Sequence, residues 1–188
     1  LSPEKHLTCT GNHDTSEVAP IFRFMGRADI EAIMPLMQGL AEDVALKRMD
    51  AGDLCVCGMV NGMPVHIRWI HIGPCFIRGL GYNHKIQTNH AYSYGTYTLP
   101  SFRRRGIYKA SLGYAACALF RNGIQQFSAI VMAGNDVVLH TLPSLGWERS
   151  KCIFHRRILG VHYTAAAQSR GRTCRHVYIG APRDIYLI

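Results

Sequence analysis

The sequence predicts an α/β (α+β) domain in which a mixed central sheet is covered by helices. Three observations carry that expectation. Short β-patterned runs alternate with helical ones along the chain. Leu54–Val60 and Met63–His71 flank Asn61-Gly62, the dipeptide that supplies the positive φ values of a type I′ turn, so the two runs form a hairpin. The run Ala91–Leu99, ended by Pro100, leads into a helical pattern from about Ile107 to Phe120 that stops at Arg121-Asn122-Gly123. With 188 residues the chain is long enough to bury one such core. Its 48% hydrophobic and 18% charged content excludes wholesale disorder.

The remaining elements follow in order. Residues 1–20 are polar and read as an N-terminal extension without the apolar core of a signal peptide. Ile21–Met25 reads as a first strand. Ile30, Ile33, Met34 and Met37 give a helical stripe interrupted by Pro35 and Gly39, and a second helix is expected over Leu40–Met49. Residues 73–89 carry Gly, Asn and Pro and read as a long loop, a candidate substrate lid. In the strand Ala91–Leu99, strict alternation puts Tyr92, Tyr94 and Thr96 on one face and Ser93, Gly95 and Tyr97 on the other. Gln126–Met132 reads as a strand, Asp136–Leu142 as a short helix and Lys151–Leu159 as a strand. The domain is taken to span 21–160, with 161–188 as a basic tail.

Composition narrows the function. The net charge of +9 is uneven: residues 1–100 hold 8 Lys/Arg against 9 Asp/Glu, net −1, and residues 101–188 hold 13 against 3, net +10. An anionic partner is therefore expected on the second half, either a phosphorylated cofactor or a nucleic acid. No apolar run reaches the ~20 residues that span a bilayer. The seven cysteines are odd in number and show no disulfide framework. Cys55 and Cys57 share one strand face but lack zinc spacing and a second pair, and no histidine pair has the context of a metal motif. No metal is expected. A reducing, cytoplasmic setting suits this cysteine usage.

The segment Pro100-Ser101-Phe102-Arg103-Arg104-Arg105-Gly106-Ile107-Tyr108 lies between a strand and a helix. A tight turn feeding a helix N-terminus exposes successive backbone N–H groups, and the helix dipole favours negative charge there. Arginines around such a turn add charge-assisted contacts to phosphate. By itself the segment reads equally as a solvated basic turn or a nucleic-acid contact.

Its context resembles the GCN5-related N-acetyltransferase (GNAT) superfamily over roughly residues 20–160. The strand–Pro–loop–helix segment is similar to the family's Arg/Gln-x-x-Gly-x-Gly/Ala signature through Arg103, Arg104, Arg105, Gly106 and Ile107, and departs from it at Tyr108, where the family has a small residue. Asn135, a short helix and Leu145-Gly146-Trp147 follow, similar to the family's Asn–helix–Leu-Gly-Phe segment. The resemblance implies a GNAT fold in which two neighbouring parallel strands splay apart to form the acyl-CoA cleft. It implies acyl-CoA, acetyl-CoA by default, as co-substrate, with Arg103–Tyr108 on the pyrophosphate and Asn135 contributing to cofactor binding. It also implies a backbone N–H near Tyr97 or Thr98 on the thioester carbonyl, where it stabilises the oxyanion.

A primary amine acceptor, on a small molecule or a protein, has to lose a proton before it attacks, because its pKa is ~10.4. The family often carries Glu or His at the positions of Tyr92 and Tyr94, but this chain has no carboxylate between Asp53 and Asp136. Tyr92 and Tyr94 are expected to shape the acceptor pocket or relay a water, and Tyr94 is a candidate proton donor to the leaving thiolate. His90 continues that face as a candidate base or as a solvated strand-end residue. The family's general-acid tyrosine falls at Leu142, which has no proton to give. Cys75 is a weaker candidate nucleophile. Phe76, Ile77, Leu80 and Tyr82 are placed to cap a longer acyl chain. Arg170, Arg172, Arg175 and His176 read as a solvated basic segment or as contacts to an acidic group. The expected partner is the amine acceptor rather than nucleic acid, a homodimer is left open, and an inactive acyl-CoA-binding or nucleic-acid-binding module is the alternative.

Overall fold

The computed structural model describes residues 19–77, 82–149, 151–158, 161–168 and 184–187. In chain order the elements begin with β1 (Ile21–Met25), α1 (Ile30–Ile33), α2 (Glu42–Asp50), β2 (Leu54–Val60) and β3 (Met63–Ile72). Then come β4 (Cys75–Ile77), β5 (Tyr82–His84), β6 (His90–Thr98), α3 (Ile107–Arg121), β7 (Gln126–Ala129) and β8 (Val131–Met132). The last are α4 (Asp136–Thr141), β9 (Lys151–Ile158), β10 (Val161–Gln168) and β11 (Asp184–Leu187). They form two compact units, one of residues up to Ile72 with Asn89–Phe127, the other of Gly73–Thr88 with the residues from Ser128 onward.

The first unit is built on the sheet β1-β2-β3-β6-β7. Its β2–β3 hairpin turns at Asn61 and Gly62, both with positive φ, as the dipeptide predicts. β1, β2, β3 and β6 pair antiparallel. β6 and β7 are hydrogen-bonded neighbours joined through α3, the crossover connection that parallel strands require. Period-2 alternation then sorts the core. Cys55, Cys57, Ile67 and Trp69 bury against Ile30, Ile33, Leu36 and Met37 and against Ala45 of α2. Val56, Ile70 and Ala91 bury on the opposite face against Ala115 and Leu119 of α3. Pro35 converts the end of the first helix into a 3-10 turn without breaking its buried stripe.

One correction bears on the site. The β3–β6 register shifts between Ile67 and Trp69, and Gly95 takes φ +53, so β6 carries a bulge. The extra residue reverses the alternation beyond it. Tyr94 pairs with Trp69 and Tyr97 with Ile67, and both tyrosines pack against the core on the α1–α2 side. Tyr97 therefore shares the face of Tyr94, and Thr98, which pairs with His66, turns to the α3 side.

Two further expectations change in the second unit. The segment read as a long loop contains an antiparallel hairpin, β4–β5, with Cys75 opposite His84 and Ile77 opposite Tyr82. Leu80 and residues 78–81 lie outside the described residues. The single strand expected over Gln126–Met132 is divided at Ile130, because β7 belongs to the sheet with β6 whereas β8 pairs with β11. β8 stands in a four-stranded sheet of order β10-β9-β11-β8. Residues 161–168 and 184–187, from the segment read as a tail, are thus strands, whereas Arg170, Arg172, Arg175 and His176 fall outside the described residues.

Candidate active site

β6 ends at Thr98, and Pro100–Phe102 turns the chain before α3 begins. Between them Arg104 (φ +63) and Gly106 (φ +71) adopt the left-handed conformation. Two such residues within three positions curl the backbone so that its amides converge ahead of the helix, a concave nest for an anion. Gly106 is the N-cap of the 15-residue α3 and, having no side chain, makes no side-chain cap bond to the first-turn amides. A Cβ built on Gly106 meets no atom within 4 Å, so the space over the turn is open. Open space, a helix N-terminus without a side-chain cap from Gly106 and the positive end of a long helix fit a pyrophosphate. Arg103, Arg104 and Arg105 are exposed around it; Arg103 donates from Nε to the Thr98 carbonyl at 3.1 Å and lies over the Tyr97 ring.

Beneath the start of α3 lies a group that the sequence reading did not single out. Arg68 of β3 is fully buried. Its Nε donates to Ser111 Oγ at 3.0 Å, its Nη1 to Ser93 Oγ at 2.8 Å and its Nη2 to the Tyr108 carbonyl at 3.3 Å. The guanidinium also lies over the Tyr108 ring at 4.8 Å, which gives a physical reason for an aromatic residue where the family has a small one. His66 extends the network, with Nδ1 2.7 Å from Thr98 Oγ1 and Nε2 2.8 Å from Ser111 Oγ. Burial first, then the Arg68 charge, push the His66 pKa down to about 3, so the ring is neutral at physiological pH. β3, β6 and α3 are locked together just where the turn is set.

The opposite face of β3 and β6 holds a second polar cluster. Tyr92 is buried, Tyr94 is half-buried, and their rings stack with centroids 5.7 Å apart. The Tyr94 hydroxyl donates to Asp53 Oδ2. Burial, then that bond to Asp53, push the Tyr94 pKa well above the usual phenol range. The other carboxylate oxygen, Asp53 Oδ1, is 2.6 Å from His71 Nδ1. Arg48 of α2 lies over the Trp69 and Tyr94 rings at 5.1 and 5.0 Å. His90 is half-buried at the first position of β6. The structure thus groups Tyr92 and Tyr94 with Asp53 and His71, which the sequence reading had not joined to them. The usable signal was the spacing of His66 and His71, which puts the two histidines on opposite faces of one strand.

Asn135 belongs to the second unit, where it caps α4 by accepting from the Val138 amide at 3.4 Å. Cys75, Phe76, Ile77 and Tyr82 belong to the β4–β5 hairpin of that unit. Leu142 follows α4. Burial pushes the Cys57 thiol up to about 11 and the Cys55 thiol higher still, so neither is a ready thiolate. Among the described residues no group of three His, Cys, Asp or Glu side chains is arranged to hold a metal ion. No helix among them is long and apolar enough to cross a membrane.

The sequence matches no protein-family model and no curated protein. The structure is similar to the ribosomal-protein-S18-alanine N-acetyltransferase of Escherichia coli, with a TM-score of 0.60 and 13% identity over 90% of this chain and 92% of that one. It is similar to the aminoglycoside N-acetyltransferase AAC(6')-Iy in complex with CoA, with a TM-score of 0.54 and 20% identity over 68% and 90% of the two chains. A GCN5-related N-acetyltransferase from Ralstonia eutropha matches with a TM-score of 0.51 and 18% identity over 69% and 92%.

Proposed function

We propose that this chain, which has the fold of the GCN5-related N-acetyltransferases, is an N-acyltransferase that moves an acyl group from acyl-CoA to a primary amine. Acetyl is the default acyl group. The observation that carries the reading is the Arg103–Tyr108 turn, with left-handed residues at 104 and 106 and an uncapped helix N-terminus behind it. Acyl-CoA supplies an activated thioester carbonyl. The turn's amides and Arg103, Arg104 and Arg105 hold its pyrophosphate, with Ile107 and Tyr108 opening the helix that faces it. A backbone N–H of β6 near Tyr97 or Thr98 stabilises negative charge on the carbonyl oxygen.

The tyrosine face of β6 lines the acceptor side. Because the Tyr94 hydroxyl is committed to Asp53, its first role in this reading is to hold that carboxylate, and Tyr92 gives the amine a flat apolar wall. The acceptor is a small molecule or a protein carrying a primary amine, the former being the acceptor class that the aminoglycoside N-acetyltransferase names.

Cofactor binding is tested by thermal melting with a series of acyl-CoA esters. At one hundred times its Kd a ligand that binds only the folded state adds about 2.7 kcal/mol. For a chain of this size that raises Tm by about 5–10 °C. A melting curve unmoved by every ester, from acetyl to long-chain, rejects the cofactor assignment.

A further inference from the structure

The tyrosine face of β6 holds a cation that no carboxylate matches. Arg48 of α2 is half-buried, with its guanidinium over the Trp69 and Tyr94 rings. The helix positions one turn before it are Val44 and Ala45, so α2 puts no acid beside it. The aspartates between residues 29 and 53 pair elsewhere. Asp29 binds Arg23 and the Gly26 amide, Asp43 binds Lys47, Asp50 binds Arg27, and Asp53 binds Tyr94 and His71. Among the described residues the Arg48 guanidinium makes no hydrogen bond and no ion pair, only its two ring contacts. Its Nη1 reaches the bulge of β6, where a Cβ built on Gly95 comes within 3.4 Å of Nη1 and 3.2 Å of Trp69 Cδ1. The indole Nε1 bonded to that carbon is buried and has no hydrogen-bond partner among the described residues either. Two unmatched donor groups thus lie against Gly95, which has no side chain to cover them. Gly95 stands two residues before Tyr97, so the spot is roughly 7–10 Å along the strand from the amides of Tyr97 and Thr98.

We propose that Arg48 is a specificity-determining residue that pairs with a carboxylate on the amine acceptor; the inference rests on the acyltransferase reading above and names the substrate class of that site. The acceptor is an amino acid whose amine meets the thioester while its carboxylate sits on Arg48 beside Gly95. Stacking occupies the faces of the guanidinium and leaves its N–H edge for a carboxylate, which that edge binds through two parallel bonds. The Trp69 and Tyr94 rings also exclude water from the cation, so an anion pairs with it more strongly than with a solvated lysine. The distance along the strand fits an ω-amino acid about four to six carbons long better than an α-amino acid, whose two groups are adjacent. A second positive charge on the acceptor would meet Arg48 in place of a counter-ion, so diamines are rejected by the same residue.

The test measures kcat/KM with acetyl-CoA on three acceptors of matched length: δ-aminovalerate, its neutral primary amide, and the diamine cadaverine. Wild type is expected to prefer the acid to the amide by about 10- to 100-fold, as a charge-assisted pair implies, and to use the diamine least. In Arg48→Gln the acid is expected to fall by that same factor, mainly through KM, while the amide changes by no more than about threefold. Melting temperature and calorimetric acetyl-CoA affinity report that the variant is folded. Arg48→Met keeps an apolar stem against the two rings without the charge, and it decides the matter if Arg48→Gln does not fold. A wild type that takes acid and amide equally would overturn the proposal. Equal losses on all three acceptors would do the same, by reducing Arg48 to a packing group. If wild type binds acetyl-CoA and acylates none of the three, the acyltransferase reading fails on its own, and calorimetry of δ-aminovalerate with the CoA-bound protein still reads the site. Binding that is lost in the Arg48 variants would sustain carboxylate recognition there, and absence of binding to wild type would overturn it.

Discussion

Gly106→Asp is expected to abolish acyl-CoA binding and leave the protein folded. Gly106 sits at φ +71, a conformation that costs a side-chain-bearing residue about 1 kcal/mol. A Cβ there meets no atom within 4 Å, so strain is the whole penalty to the fold. The cost to the ligand is far larger. The new side chain fills the open space over the turn and puts a carboxylate where a pyrophosphate has to approach the first-turn amides. A fall in affinity of at least about 100-fold is expected, equivalent to about 2.7 kcal/mol, with a melting temperature within a few degrees of wild type. Calorimetry with acetyl-CoA reads the first quantity and a melting curve the second. Wild-type affinity in the variant would move the phosphate site away from this turn.

Arg68→Ala is expected to be among the most destabilising single changes in the first unit. The guanidinium fills the space between β3 and α3 and donates to Ser93, Ser111 and the Tyr108 carbonyl, all without a counter-carboxylate. Truncation leaves a cavity, uncovers the Tyr108 ring and strands buried acceptors, at a total cost of roughly 3–5 kcal/mol. At about 2–4 °C per kcal/mol, Tm falls by about 10 °C. Arg68→Met refills most of the volume without any donor and should recover about half of the loss, which separates packing from hydrogen bonding. Because Tyr108 opens α3, the Ala variant should also bind acyl-CoA more weakly at temperatures where it is still folded. A denaturant midpoint equal to wild type would show that the buried network is dispensable.

The sequence announces whatever depends on local periodicity and turn chemistry. Asn61-Gly62 defined its hairpin, Pro100 and Asn122-Gly123 bracketed α3, and the Arg103–Tyr108 segment stood out because glycine, arginine and a helix start coincide there. Features set by strand register were harder to read. The bulge at Gly95 follows from how β6 lies against β3, and without it simple alternation assigns Tyr97 to the wrong face. The Asp53–His71–Tyr94 cluster joins a turn and two strands, with Asp53 and Tyr94 41 positions apart, so no spacing rule finds it. Arg68 is the one Lys, Arg, Asp or Glu side chain in β3. Its meaning appears only when Ser93 and Ser111 are brought to it from β6 and α3. The β4–β5 hairpin was hidden because its three-residue strands are too short to show a period.

The most direct test of acyl transfer is product stoichiometry. Wild-type protein is incubated with acetyl-CoA and a panel of primary amines, and free CoA thiol and acetylated amine are measured together. With at least one amine, thiol and amide are expected in equal amounts, and Gly106→Asp is expected to produce neither. Acetyl-CoA that is bound yet never yields amide with any acceptor would contradict the account and leave a binding module with this fold.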